Sequence, residues 1–350
     1  AAPGVRFVRN GRNRGVSFSR NRGIALARHP WVLFMDADDA ADPRLVERLA
    51  ARILALRTEY PGEDWIVCHP AYQQMDERGE AVGEAVRGIQ ILPGETFGYL
   101  VVRNPIISPS GLMARKDALL RAGAFNAERK INEDWELWLR LAKIGGFGYV
   151  DEPLAKIRRH PDNTTRDAAR SQRAEAEILA QYGDAELRDA ILARNLPKSK
   201  NLADCASVMY RIGRWEAGVR ELLALSERER CQSAWFQIGL YHLHCRNFGE
   251  AKAAFEKAAG LQPDHGAALN NLGAIHLLNG EREQAVRLFQ EALAKFPGYM
   301  DARHNRELAA SRGEAAPESV RFTWRELRKS LVKYHEPVAD TKGYGRESAG

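Results

Sequence analysis

The residues best placed to do chemistry are Asp36-Ala37-Asp38-Asp39, three carboxylates ending the apolar run Trp31 to Met35. Such a run reads as a buried strand, and in open α/β sheets ligands gather at the carboxyl ends of strands. Acids crowded there repel one another unless a cation lies among them. Their hard oxygens suit Mg2+ or Mn2+, which arrive with phosphate-bearing substrates. The plainer alternative is that Asp39 and Asp42 cap the helix that follows. A second acidic pair, Glu133-Asp134, opens an amphipathic segment capped by Asn132. Asp134 thus falls in a first helical turn, where the positive end of the helix dipole keeps a carboxylate ionised. Trp135 and Trp138 read as helix core rather than a platform for a sugar ring. His242, His244 and Cys245 look like a metal triplet, but residues two apart point to different helix faces, so packing explains them better.

Up to about residue 166 the chain alternates short apolar runs with amphipathic helices, the pattern of a sheet with covering helices. Val5 to Val8, Trp31 to Met35, Trp65 to Cys68 and Leu112 to Ala114 read as strands, and Phe147 to Val150 and Leu154 to Ile157 as a closing pair around Pro153. After Asp42-Pro43, Leu45, Leu49, Ile53 and Leu56 recur at helical spacing until Tyr60-Pro61-Gly62. Asp76 to Gly79 reads as a turn. From about residue 167 to 312 the period is helical throughout.

Within that helical stretch Gly239 and Gly273, Ala251 and Ala285, Phe255 and Phe289, Ala258 and Ala292, and Pro263 and Pro297 are each 34 apart. These positions resemble the tetratricopeptide consensus, in which small residues let paired helices approach. One period earlier, Ala217 and Ala224 fit but Glu221 replaces the aromatic, which makes that repeat degenerate. The expected organisation is 1–166 as a catalytic-type α/β domain and 167–200 as a helical linker. Repeats then cover 201–312, divided as 201–231 (degenerate), 232–265, 266–299 and a partial or capping helix at 300–312. A tail, 313–350, contains one amphipathic helix from Phe322 to Tyr334. Tetratricopeptide arrays imply a protein partner.

The front half is similar to the family-2 glycosyltransferases. Asn13 to Ala25, with Gly15, Ser17, Arg20, Asn21 and Gly23, precedes the acidic strand end at the family's spacing. Asn104 to Arg115 with Ala122 to Phe125 resembles the acceptor-side segment. Ile131 to Arg140 resembles the E-D-x-x-L-W motif. Pro153 to His160 with Asn163-Thr164-Thr165 resembles the closing segment, with Ile157 in place of tyrosine. The resemblance implies an incomplete GT-A fold, a Rossmann-like α/β sheet with covering helices. It also implies inverting transfer of a sugar from a nucleotide diphosphate donor, UDP-hexose by base rate, to a glycan, lipid-linked or protein acceptor. On it, Asp134 is the base. Asp38 is the direct metal ligand, Asp36 faces the ribose or metal waters, and Asp39 supports. Arg20, Asp36 and His160 serve the donor diphosphate, and Ser110, Gly111 and Glu133 lie on the acceptor side.

The family pattern opens with two earlier strands that contact the nucleotide, and this chain, which has no initiating methionine, starts about where the third would lie. A fragment lacking roughly 60 residues of donor site is therefore expected. The rival reading is a non-catalytic tetratricopeptide scaffold carrying an inactive transferase domain; keeping five site acids together counts against it.

Over 350 residues, 45% hydrophobic and 28% charged content with mean hydropathy -0.44 is globular composition in more than one domain, without an apolar stretch of membrane-spanning length. Four scattered cysteines argue against a disulfide framework, and cytoplasm is the default location, with attachment to the inner face of the membrane left open. The net charge of +6 comes with seven arginines and no acid between Arg6 and Met35. Those arginines fall within the transferase motif and lack interleaved aromatics, which argues against nucleic acid as a partner.

Overall fold

A computed structural model describes residues 5–159, 168–311 and 316–327. The chain forms two compact units, Ala1–Arg214 and Trp215–Gly350.

The first unit is α/β. Its elements are α1 (Val16–Leu26), β1 (Trp31–Leu33), β2 (Ala40–Ala41), α2 (Leu45–Glu59), β3 (Trp65–Met75), β4 (Ala81–Val86), α3 (Pro93–Val102), β5 (Met113–Arg115), α4 (Lys116–Arg121), α5 (Glu133–Ala142), β6 (Gly146–Arg158), α6 (Ala168–Leu179), α7 (Asp184–Leu192) and α8 (Lys198–Arg211). The strands make one mixed sheet in the order β1-β5-β3-β6-β2, with β4 paired to β3. Only β3 and β6 pair in parallel. Ile66, Val67 and Cys68 near the start of β3 are wholly buried, as an apolar run covered on both faces should be. One cluster packs Leu45, Leu49, Ile53 and Leu56 of α2 against Trp65 and Cys68. A second gathers Ile66, Val67, Leu100, Trp135 and Trp138, joining α3 and α5 to the sheet.

The four leucine and isoleucine positions of α2 are buried as the spacing predicts. Three local expectations need correction. Val5 and Phe7 are 62% and 79% exposed and form no strand, because nothing pairs with their backbone among the described residues. Phe147 to Ile157 is one strand rather than two: β6 runs through Pro153, which falls where its pairing with β3 shifts register. The segment 322–327 is not helical, and the rest of the expected helix to Tyr334 lies outside the described residues. The helices α6 to α8, read from sequence as a linker and the start of the repeats, belong to the first unit.

The second unit is all-helical: α9 (Trp215–Ala224), α10 (Gln232–His244), α11 (Phe248–Leu261), α12 (Gly266–Leu278), α13 (Arg282–Lys295) and α14 (Met300–Ala310). The 34-residue offset is visible as packing. A methyl group on Gly239 would meet the Phe255 ring at 2.5 Å, and one on Gly273 would meet Phe289 at 2.6 Å. Ala251, Ala258, Ala285 and Ala292 are fully buried between paired helices, whereas Ala224 of the degenerate repeat is exposed. Among the described residues no helix is long and apolar enough to cross a membrane.

Candidate functional site

The site forms where the end of β1, the start of α1 and the start of α5 meet. Arg20, on α1, holds two of its parts together: Nη2 donates to Asp36 Oδ1 at 2.7 Å and Nη1 to Glu133 Oε1 at 3.1 Å. Its side chain is only 11% exposed and lies over the Phe125 ring, 5.3 Å from its centroid. Asn21 next to it pins the same loop by a two-point contact, Nδ2 to Phe125 O at 2.7 Å and Phe125 N to Oδ1 at 2.9 Å. Beneath, Phe34 and Phe125 meet edge to face at 5.4 Å and Trp138 joins them, so the polar groups sit on a rigid aromatic floor.

The acidic strand end is fixed from the other side by Ser110. Its hydroxyl donates to Asp39 Oδ2 at 2.5 Å and accepts from the Asp36 backbone N–H at 2.9 Å. Gly111 follows with φ +83°, its N–H on Phe34 O at 2.9 Å; a methyl group there would lie 2.7 Å from Ala155 Cβ. Arg158, at the end of β6, completes the frame. Its N–H donates to Asp39 Oδ1 at 2.8 Å, its Nε to Asp38 O at 2.8 Å, and its Nη1 to Asp76 O and Glu77 O in the β3–β4 turn.

Ser110 and Gly111, expected beside the acceptor, are buried, Ser110 completely, and Ser110 holds the acidic loop. Asp36 and Asp39, expected to bind metal with Asp38, have their carboxylates committed to Arg20 and to Ser110 and Arg158. Among the described residues no three His, Cys, Asp or Glu groups are arranged to hold a metal ion. Burial raises the pKa of Asp39 against the lowering by Ser110 and Arg158. Asp38 is exposed. One exposed carboxylate fits a cation brought by a diphosphate, since Mg2+ takes one or two carboxylates and completes its shell with phosphate oxygens and water. His160, Asn163, Thr164 and Thr165 lie outside the described residues.

Asp134 stands in the first turn of α5, with Asn132 at the cap in a left-handed conformation, φ 56°. Burial, and then the like charge of Glu133, push its pKa up to about 6, against the pull of the Trp135 N–H at 2.7 Å and of Arg20. Near its field lies the phenol of Tyr72, buried on β3 with no hydrogen-bond partner among the described residues. Trp135 and Trp138 are core, the former tied through Nε1 to Leu100 O at 2.9 Å. Sequence reading reached Arg20, Glu133 and Asp134 but assigned no role to Asn21, Arg158 or Tyr72. The adjacency of Asn21 to Arg20 was the one available signal.

Residues 1–79 match the family model Glycosyl transferase family 2, and residues 246–306 match Tetratricopeptide repeat. The front of the chain is thus similar to family-2 glycosyltransferases and the back to tetratricopeptide repeats. A protein of Rickettsia bellii named as an uncharacterized glycosyltransferase is 25% identical over 202 residues, 57% of this chain and 27% of its own length. Another of the same description, from Haemophilus influenzae, is 25% identical over 183 residues, 51% of this chain and 59% of its own. The tetratricopeptide repeat-containing protein trd-1 of Caenorhabditis elegans is 39% identical over 59 residues, 17% of this chain and 8% of its own. The chain thus spans from 8% to 59% of the length of these relatives. In the first unit the Arg20 bridge joins the acidic strand end to Glu133, next to Asp134. In the repeats, His244 stacks on Trp215, ring centroids 4.0 Å apart.

Proposed function

We propose that the first unit transfers a sugar, with inversion, from a nucleotide diphosphate donor to an acceptor hydroxyl, and that the repeats recruit the acceptor or a partner protein. The supporting observation is Asp134: a half-buried carboxylate whose pKa of about 6 suits a general base near neutral pH. An inverting displacement needs one base, which takes the acceptor hydroxyl proton as that oxygen attacks the anomeric carbon from the face opposite the departing diphosphate. Asp134 does this in our reading. Glu133 and Asp36 are held by Arg20 at the edge of the donor site, and the buried floor under them keeps water from the reacting atoms. Asp38 is the residue that would hold Mg2+ or Mn2+, whose charge would stabilise the leaving diphosphate. The donor is a UDP-hexose and the acceptor a glycan, a lipid-linked glycan or a protein, met in the cytoplasm or at the inner membrane face.

Isothermal titration of UDP and of GDP with Mn2+ into the protein and into Asp38→Ala tests this. Binding that needs the metal and is lost in Asp38→Ala supports a nucleotide-sugar transferase. Binding that is independent of the metal, or unchanged in Asp38→Ala, overturns the assignment of Asp38.

A further inference from the structure

Residues 316–327 follow the last repeat helix and lie across α12 and α14, the first helices of successive repeats. Three asparagines there, Asn270, Asn271 and Asn305, are all fully buried. Asn305 takes both main-chain groups of Arg321: Oδ1 accepts from N at 2.8 Å and Nδ2 donates to O at 2.7 Å. Asn271 treats Thr323 in the same way, at 2.7 Å and 2.9 Å. Asn270 links the two, accepting from Asn305 at 3.0 Å and donating to Arg321 O and Thr323 Oγ1, each at 3.1 Å. The side-chain amides thus read the donor and acceptor of alternate residues, as a neighbouring β-strand would.

Side chains of the segment add specificity. Val320 enters a cluster with Ala274, Leu277, Phe289 and Ala309. Thr323 Oγ1 donates to Asp301 Oδ2 at 2.9 Å and hydrogen-bonds Tyr299 Oη. Phe322 packs on the same cluster as Val320 and stacks on Phe248, Trp324 meets Trp215 edge to face at 5.9 Å, and Arg321 faces solvent. Buried amides require partners, and this face satisfies its own only when a non-helical main chain lies on it. A readout of that kind is open to any segment that can present the same backbone.

We propose that the face of α12 and α14 is a binding site for an extended peptide carrying an aliphatic residue three positions before a threonine or serine, and that Val320 to Thr323 is a built-in ligand which a partner peptide displaces. This rests on the reading of the repeats as a partner-binding array.

Hydrogen exchange on the unaltered full chain is the first test. The amides of Arg321 and Thr323 should be at least tenfold less protected than those of Leu277 and Phe289, because the segment leaves without the helices unfolding. Equal protection would make the segment a fixed part of the fold and overturn the proposal, while leaving partner binding elsewhere on the array untouched. The second test adds a fluorescent peptide with the sequence of residues 317–327. Val320→Asp, which ejects the segment from its apolar cluster, should bind it at least tenfold more tightly than the unaltered chain. Adding Asn271→Ala should remove that gain. Should the amides exchange fast and the opened face take no peptide, the partner-binding reading falls and the proposal with it. A dimer exchanging this segment between two copies, seen by sedimentation, would overturn the intrachain assignment.

Discussion

Ser110 donates its hydroxyl to Asp39 at 2.5 Å across 71 residues of sequence, and with the same oxygen accepts from the Asp36 backbone. Two distant motifs are thereby one structure: the small-residue loop before β5 exists to hold the acidic end of β1.

Ser110→Ala removes that bond and leaves Asp39 half-buried with one donor fewer. At pH 7 the change should destabilise the protein by about 1–3 kcal/mol. Burial already raises the Asp39 pKa and Ser110 lowers it, so the variant raises it further. A raised acid contributes stability at low pH that is lost as pH rises through its folded value. The gap between variant and parent should therefore narrow on acidification, in urea unfolding compared at neutral pH and near pH 4.

Asp134 makes the pH argument sharper. Its folded pKa of about 6 stands above the ordinary 3.8, so its contribution is fully present below the ordinary value and lost as pH climbs through 6. Asp134→Asn escapes that loss. Its stability relative to the parent should grow between pH 4 and 7 by at most about 3 kcal/mol, the shift taken at 1.36 kcal/mol per unit. If Asp134 is the base, sugar transfer by the parent rises through pH 6 and the stable variant transfers nothing. A variant that is less stable than the parent at neutral pH would refute the burial argument.

How much of this was legible follows from the range of the interactions. The buried face of α2 and the 34-residue repeat depend on spacing within a few turns, and the structure has Leu45, Leu49, Ile53, Leu56 and the Gly239 and Gly273 contacts where periodicity put them. Val5 to Val8 has the composition of a strand, but a strand is made by its neighbours and the composition could not supply one. The acidic cluster was found as chemistry, yet its division of labour was not. That Asp36 faces Arg20 and Asp39 faces Ser110 and Arg158 depends on contacts across 16, 71 and 119 residues. The raised pKa of Asp134 was hidden for the same reason, since burial and the neighbouring Glu133 act on it through the fold.

Arg20 joins two carboxylates through one planar guanidinium, a geometry that lysine cannot reproduce. Arg20→Lys should retain one of the pairs to Asp36 and Glu133 and lose the other, and Arg20→Ala should lose both. Both variants should lower stability, Ala more than Lys, with about 1–3 kcal/mol lost in Arg20→Ala because Glu133, largely buried, and Asp36, partly so, lose their shared counter-charge. Removing the cation also withdraws one influence that lowers the Asp134 pKa. The acid limb of any activity profile should then move to higher pH, which thermal melts beside a pH series would separate from simple unfolding.

The repeat glycines give a prediction with opposite signs inside one helix pair. At Gly239 an added methyl meets the Phe255 ring at 2.5 Å, and the ring cannot retreat because it is wholly buried. Gly239→Ala should cost about 1–3 kcal/mol by overpacking, and Gly273→Ala against Phe289 the same. In a Phe255→Leu background the methyl has room, so the second change should cost less than in the parent, a coupling of about 0.5–3 kcal/mol between neighbours. Gly260, on α11 with nothing within 4 Å of its added methyl, should respond the other way. There alanine removes backbone freedom from the unfolded chain without a clash, and stability should rise by up to about 1 kcal/mol. Urea denaturation of the three variants decides it: if all of them shift in one direction, close approach of the paired helices is not what these glycines are for.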